Sequence, residues 1–275
     1  MLQNKPLQID IEKVIASKSP RLLKILPGFV IRYLKRIIHV DEMNNFLAAY
    51  GHLKGIEFIE KALEMLEATY TVEGLDNIKE GERYIFSSNH PLGGLDGIIL
   101  IHAIGKKFPS VKFPVNDLLM NLPQFDEVFI PVNKHGSQSM DSARKIEEAY
   151  ASNSQILYFP AGLCSRKQKG KIEDLEWKKN FITKAVKHKR NVVPVFFSGR
   201  NSNFFYNLSR LRTFLGIKAN IEMLYLVNEM FKQKGQKIVV TVGQPIPYET
   251  FDGSKSPNQW ACFMKTKTYE LAKKG

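Results

Sequence analysis

Cysteine is nearly missing from this chain: Cys164 and Cys262 alone occur among 275 residues, too few and too far apart for a disulfide framework. That scarcity suits a reducing compartment. Long apolar runs are missing as well. Stretches such as Ile98–Ile101 and Val195–Phe197 fall far short of the ~20 residues a bilayer core requires, so no spanning helix is expected. Met1 to Asp10 carries no apolar region behind a basic one, which argues against a secretory signal. Acidic residues are in deficit, with 27 Asp and Glu against 40 Lys and Arg, a formal charge of +13. Anionic lipid head groups, an acidic carrier protein or nucleic acid would each answer that charge, and so would a solubilising excess with no partner. A nucleic-acid partner is disfavoured, because the charge is dispersed and no recognition motif or base-stacking signature accompanies it.

What the chain does contain is periodic. Between Lys18 and His39, Leu22, Ile25, Leu26, Phe29, Tyr33 and Ile37 recur at three- and four-residue steps, with Arg21, Lys24, Arg32, Lys35 and Arg36 opposite. This predicts an amphipathic basic helix, broken at Pro27-Gly28. It could lie in a head-group layer, or pack its stripe on the rest of the protein and leave its charges solvated. Further helical patterns at 43–50 and 56–68 make residues 1–68 a helical lead-in. From Thr69 strands alternate with helices, which predicts an α/β domain over 69–275. The expected fold is a mostly parallel central sheet flanked by helices, with an N-terminal helical segment. Strands are expected near 70–73, 84–87, 111–113, 128–132, 156–159, 192–197 and 238–242. Helices are expected near 95–106, 117–121, 139–152, 176–189, 203–215, 221–231 and 258–273.

The most informative stretch is Phe86-Ser87-Ser88-Asn89-His90-Pro91-Leu92-Gly93-Gly94-Leu95-Asp96-Gly97, between an apolar strand and an apolar helix. In an open α/β sheet, ligands bind where strand ends meet helix starts. Imidazole titrates near neutrality, so His90 could take a proton from an attacking hydroxyl, with Asp96 orienting the ring and stabilising its cation. The alternative is equally open from this pair alone: a loop histidine bonded to backbone, and an aspartate capping the next helix.

Three further blocks follow, and the four together resemble the glycerolipid acyltransferase superfamily, the 1-acyl-glycerol-3-phosphate acyltransferase-like proteins. The first block resembles the family's motif of His, four residues, then Asp. Val128-Phe129-Ile130-Pro131-Val132-Asn133 resembles the second, Tyr158-Phe159-Pro160-Ala161-Gly162-Leu163-Cys164-Ser165-Arg166 the third, and Val192-Val193-Pro194-Val195 the fourth. The likeness spans roughly residues 70 to 245. It implies direct acyl transfer from a thioester, acyl carrier protein or coenzyme A, to a lysolipid hydroxyl, with His90 and Asp96 catalytic and no cofactor or metal. Substrate-binding candidates on the same blocks are Asn89, Gly93, Gly94, Asn133, Lys134, Gly162, Arg166, Lys167, Pro194 and Arg200. An enzyme of this kind is expected to be cytoplasmic and peripheral, on the anionic inner face of the cell membrane.

Three departures narrow the acceptor. Five residues, not four, separate His90 from Asp96, a turn of about 100° on a helix, which the permissive backbone of Gly93 and Gly94 could absorb. The second block has Val132 and Asn133 where the family carries arginine. The third has Ala161 in place of glutamate, and its arginine is displaced to Arg166. In the family those charges hold a phosphate-bearing acceptor. Their loss resembles the bacterial hemolysin-like and amino-acid-lipid O-acyltransferases, and so points to a monoacylated amino-acid lipid, lyso-ornithine or lyso-glycine, in preference to 1-acylglycerol 3-phosphate or another lysophospholipid. Cys164 invites a nucleophile reading, which the superfamily's direct transfer disfavours. A non-catalytic lipid- or carrier-binding protein remains the rival from another class, and thioester turnover separates the two.

Overall fold

The computed structural model describes residues 8–116, 119–132 and 138–272, which fall into two compact units. One unit comprises residues up to 68 together with 201–235; the other comprises 69–200 and 236 onward. A single domain is expected over 69–275, whereas residues 201–235 group with the N-terminal helices.

In chain order the helical unit opens with α1 (Ile11–Lys18), α2 (Pro20–Ile25), α3 (Gly28–Ile37), α4 (Val40–Tyr50) and α5 (Gly55–Met65). Ser19 caps α2 through the Leu22 N–H and Pro20 occupies its first turn. The expected break falls between α2 and α3, where Leu26 and Pro27 take extended backbone.

The α/β unit contains β1 (Thr69–Glu73), β2 (Tyr84–Ser88), α6 (Gly94–Gly105), β3 (Val111–Val115), β4 (Phe129–Pro131), α7 (Gln138–Ala151), β5 (Gln155–Tyr158), β6 (Arg166–Gln168), β7 (Lys171–Glu173), α8 (Asn180–His188) and β8 (Asn191–Phe197). α9 (Asn203–Phe214) and α10 (Leu226–Phe231) belong to the helical unit, and β9 (Lys237–Val242) and α11 (Pro257–Leu271) return to the α/β unit. Among the described residues a seven-stranded sheet runs β1-β9-β8-β2-β5-β3-β4. β8, β2, β5, β3 and β4 are mutually parallel, β9 pairs antiparallel with β8, and β1 pairs parallel with β9. The expected mostly parallel α/β fold with N-terminal helices is what forms.

Alternation along β2 sorts its side chains between two layers. Ile85 joins Ile156, Val192, Phe181, Trp260 and Met264 under α7, α8 and α11. Tyr84 and Phe86 turn the other way and meet Phe108, just after α6. One local expectation is corrected. α8 begins at Asn180, not near 176, because Trp177 and Lys178 belong to a loop whose Lys178 N–H binds the Pro160 carbonyl at 3.0 Å. The basic run after the third block is a hairpin, β6 against β7, turned by Lys169 and Gly170, both at positive φ. The helix expected at 117–121 begins outside the described residues, and Leu119–Asn121 form one 3-10 turn.

Candidate active site

Because β2, β5 and β8 are parallel neighbours, the loops after Ser88, Tyr158 and Phe197 leave the sheet at the same edge. Asn89 pins the first loop to the third. Its Nδ2 donates to the Phe197 carbonyl at 3.0 Å and its Oδ1 accepts the Phe197 N–H at 2.7 Å. Asn89 is buried, so the structure spends this expected ligand residue on the sheet.

One residue later stands His90. Its backbone is held on both sides: its N–H donates to Asp174 Oδ1 at 3.1 Å, and its carbonyl accepts the Ser165 N–H at 2.8 Å. Its ring stacks on Phe159, 4.1 Å between centroids and 15° between planes. Nδ1 lies 2.9 Å from Asp96 Oδ2, with the histidine side chain 17% exposed and the carboxylate 0%. Gly93, at φ 79° and ψ −124°, makes the bend that accommodates the extra residue; Gly94 then begins α6 without a positive φ. Asp96 is the third residue of α6, where it accepts the Leu92 N–H on both oxygens at 2.9 and 3.0 Å. A helix N-terminus favours an anion at that place.

The electrostatics follow from burial and from these partners. Burial opposes charge on His90, yet contact with Cys164 and with the Asp96 carboxylate outweighs it and leaves the imidazole well above its ordinary value. Burial raises Asp96, against the opposing pull of His90 and the Leu92 N–H. With Nδ1 committed to Asp96, the other ring nitrogen is left for proton transfer. Cys164 is fully buried and is one of the groups that raise the imidazole, an influence that its sequence position, 74 residues after His90, did not disclose.

Asp174 was missed altogether, although it joins two of the blocks. Fully buried, its carboxylate accepts from the His90 N–H, from Ser165 Oγ at 2.6 Å and from Trp177 Nε1 at 2.9 Å. Its own backbone is tied to α11: the N–H donates to Tyr269 Oη at 2.7 Å, and the carbonyl accepts Lys265 Nζ at 2.6 Å. No family block covers position 174, and the signal available was the indole of Trp177, three residues on, which needs an acceptor when buried.

The remaining expected site residues separate. Arg166 is buried and donates to the carbonyls of Cys164 and Ser165, bracing the third block from within. Lys167, next on β6, is exposed, as is Arg200 in the loop after β8. Gly162, at φ 66°, turns the chain after β5 and lies near Lys178 Nζ. Pro194 sits inside β8, paired with Ser87 and packed against Gly243, away from the strand's end. Asn133 and Lys134 lie outside the described residues.

A histidine at a sheet edge, held by a buried carboxylate and flanked by the third-block loop, can take a proton from a hydroxyl, as transfer of an acyl group to an alcohol requires. The Acyltransferase family model matches residues 13–274, and the chain belongs to that family. It is an acyltransferase of the glycerolipid superfamily. It is 49% identical, over 96% of its length and 95% of the relative's, to a protein of Phocaeicola vulgatus named lyso-glycine lipid O-acyltransferase. A protein of the same name from Bacteroides thetaiotaomicron is 48% identical over 96% of this chain and 97% of its own. The fold is similar to the crystal structure of PlsC from Thermotoga maritima, a 1-acyl-sn-glycerophosphate acyltransferase, with a TM-score of 0.51, 17% identity, and coverage of 95% of this chain and 92% of that one.

Proposed function

We propose that this enzyme moves a fatty acyl group from a thioester to the hydroxyl of a monoacylated amino-acid lipid, with lyso-glycine lipid as the acceptor. The observation that carries the reading is the 2.9 Å His90–Asp96 contact at the sheet edge, in a chain nearly half identical to proteins bearing that name. The third block adds chemical support: Ala161 stands where a phosphate-binding glutamate motif is expected, and Arg166 is turned inward onto carbonyls, so the site is poorly furnished for glycerol 3-phosphate.

In the proposed reaction the acceptor O–H gives its proton to the ring nitrogen of His90 that faces away from Asp96, while its oxygen attacks the thioester carbonyl. Asp96 holds the opposite nitrogen and balances the imidazolium. As the carbon–sulfur bond breaks, His90 returns the proton to the departing thiolate, so the enzyme ends the cycle with its charge unchanged. The donor is acyl carrier protein or coenzyme A thioester. The enzyme works peripherally at the inner face of the membrane, with the cationic α2–α3 segment against anionic head groups.

The test offers labelled acyl thioester with lyso-glycine lipid, lyso-ornithine lipid and lysophosphatidic acid, and identifies the product by mass. Diacylated glycine lipid should form, and His90→Ala should lose about 10²–10⁴-fold in rate while remaining folded. Equal use of lysophosphatidic acid would move the acceptor to a glycerophospholipid. No product with any acceptor would leave a lipid- or carrier-binding protein.

A further inference from the structure

The helical unit carries apolar side chains in water where a soluble helix would show polar ones. α9 buries Phe205, Tyr206 and Ser209 on its inner face. At 100° per residue, Phe204, Leu211 and Leu215 fall on one line along the outside, with Phe214 beside it. That outer line is solvent-exposed: Phe204 48%, Leu211 54%, Leu215 59% and Phe214 87%. A helix apolar on both sides belongs inside something. Polar bonds hold it in place at either end: Glu229 accepts from Ser202 at its start, and Arg212 pairs with Glu222 near its finish.

This stripe is joined to the one on α2–α3, where Ile25 is 75% and Phe29 65% exposed. Tyr33, one turn on from Phe29, shares a hydrogen bond with Tyr225 at 2.8 Å between hydroxyls, and the Tyr225 ring meets Phe204 edge-on at 4.9 Å between centroids. Exposed cations rim the combined surface: Arg21, Lys24, Arg32 and Arg36 on one arm, Arg210 and Lys218 on the other.

We propose that the outer stripe of α9 and the turn after it form a second lipid-inserting element, which with α2–α3 makes one two-armed surface for an anionic bilayer. The inference extends the peripheral placement given above. Charge decides the occupant. A second copy of this chain would bring its own net +13 and the same cationic rim, and would be repelled, whereas anionic head groups answer the rim while the acyl layer takes the apolar stripe. Neither arm is built to span: α3 has 10 residues and α9 has 12, so both would lie in the interface.

The experiment is flotation of the full-length protein with vesicles of phosphatidylcholine alone, or with about one third phosphatidylglycerol, in low and high salt. The native protein should float with the anionic vesicles, and less so as salt rises. The double variant Phe214→Asp/Leu215→Asp should bind at least about tenfold more weakly, with an unchanged circular dichroism spectrum and melting temperature. Ile25→Asp/Phe29→Asp should weaken binding comparably. If the α9 variant floats like the native protein while the α2–α3 variant does not, α9 is no part of the surface although the peripheral reading stands. A native protein that fails to bind, or a dimer that the α9 variant dissociates, overturns the proposal. Binding is read without substrate, so these outcomes are separate from acyl transfer to detergent-dispersed lyso-glycine lipid.

Discussion

Replacing Asp174 with asparagine tests whether the His90 loop is held from below. The carboxylate offers Oδ1 to the His90 N–H and the Ser165 hydroxyl, and Oδ2 to the Trp177 indole. Asparagine can keep the first two by placing its oxygen there, but its NH₂ then faces the Trp177 N–H, donor against donor. Two buried donors are left without acceptors, at about 1–3 kcal/mol each, so a loss of roughly 2–6 kcal/mol is expected. For a chain of this size that lowers the melting temperature by about 3–10 °C. Trp177→Phe removes the opposing donor, so in that background the same asparagine should cost less than half as much, a coupling that a double-mutant cycle reads directly. Thermal unfolding of the four proteins is the assay. An Asp174→Asn variant that melts within about 1 °C of the native protein, or the same loss in both backgrounds, would show that the three bonds do not hold the loop.

A base must be neutral to accept a proton, so a His90 held above its ordinary value makes kcat climb with pH through a limb lying above about 6.5. Asp96→Asn removes the counter-charge, which should shift that limb to lower pH and reduce kcat by about 10²–10⁴-fold; a limb that stays put refutes the assignment. Cys164→Ser should keep the rate within about tenfold under direct transfer, whereas loss of turnover together with a trapped acyl group on Cys164 in the native protein would demand a covalent route. Arg190 is fully buried, pulled down to about 10 by burial, and donates to the carbonyls of Tyr150 and Ser154 at 2.8 Å and of Ser152. Arg190→Met strands those oxygens and should cost about 3–5 kcal/mol in urea unfolding, with little change in KM for enzyme that remains folded.

The alternating apolar runs from Thr69 onward made the sheet readable, because buried parallel strands are continuous Val/Ile-rich segments bounded by turns. The His90–Asp96 pair was equally plain, since both lie in one short loop where glycine marks the bend. Contacts across the fold were not. Asp174 sits 84 residues from the backbone it supports, in a polar stretch with no periodicity, and only the nearby Trp177 separates it from its neighbours Glu173 and Glu176. β6 and β7 are three residues each and mostly charged, so their pairing rests on the Lys169-Gly170 turn and not on burial. Asn89 misled for a related reason: a polar residue beside a reactive histidine reads as a ligand, and only tertiary pairing reveals that its amide is already committed. The exposed face of α9 looked like an ordinary helix because periodicity reports that a helix is amphipathic, not how many of its faces are covered.

The Asn89 amide behaves as a peptide group displaced into a side chain, giving and taking one bond each with residue 197 as a strand would. It therefore adds a final rung between β2 and β8 beyond the last backbone pair, and the imidazole departs from that rung. Aspartate there would lack the donor, serine the reach, and glutamine would overshoot by a methylene. Each would unzip the two strand tips from the top, so the reacting ring would lose its bearing while every atom that touches it stayed unchanged.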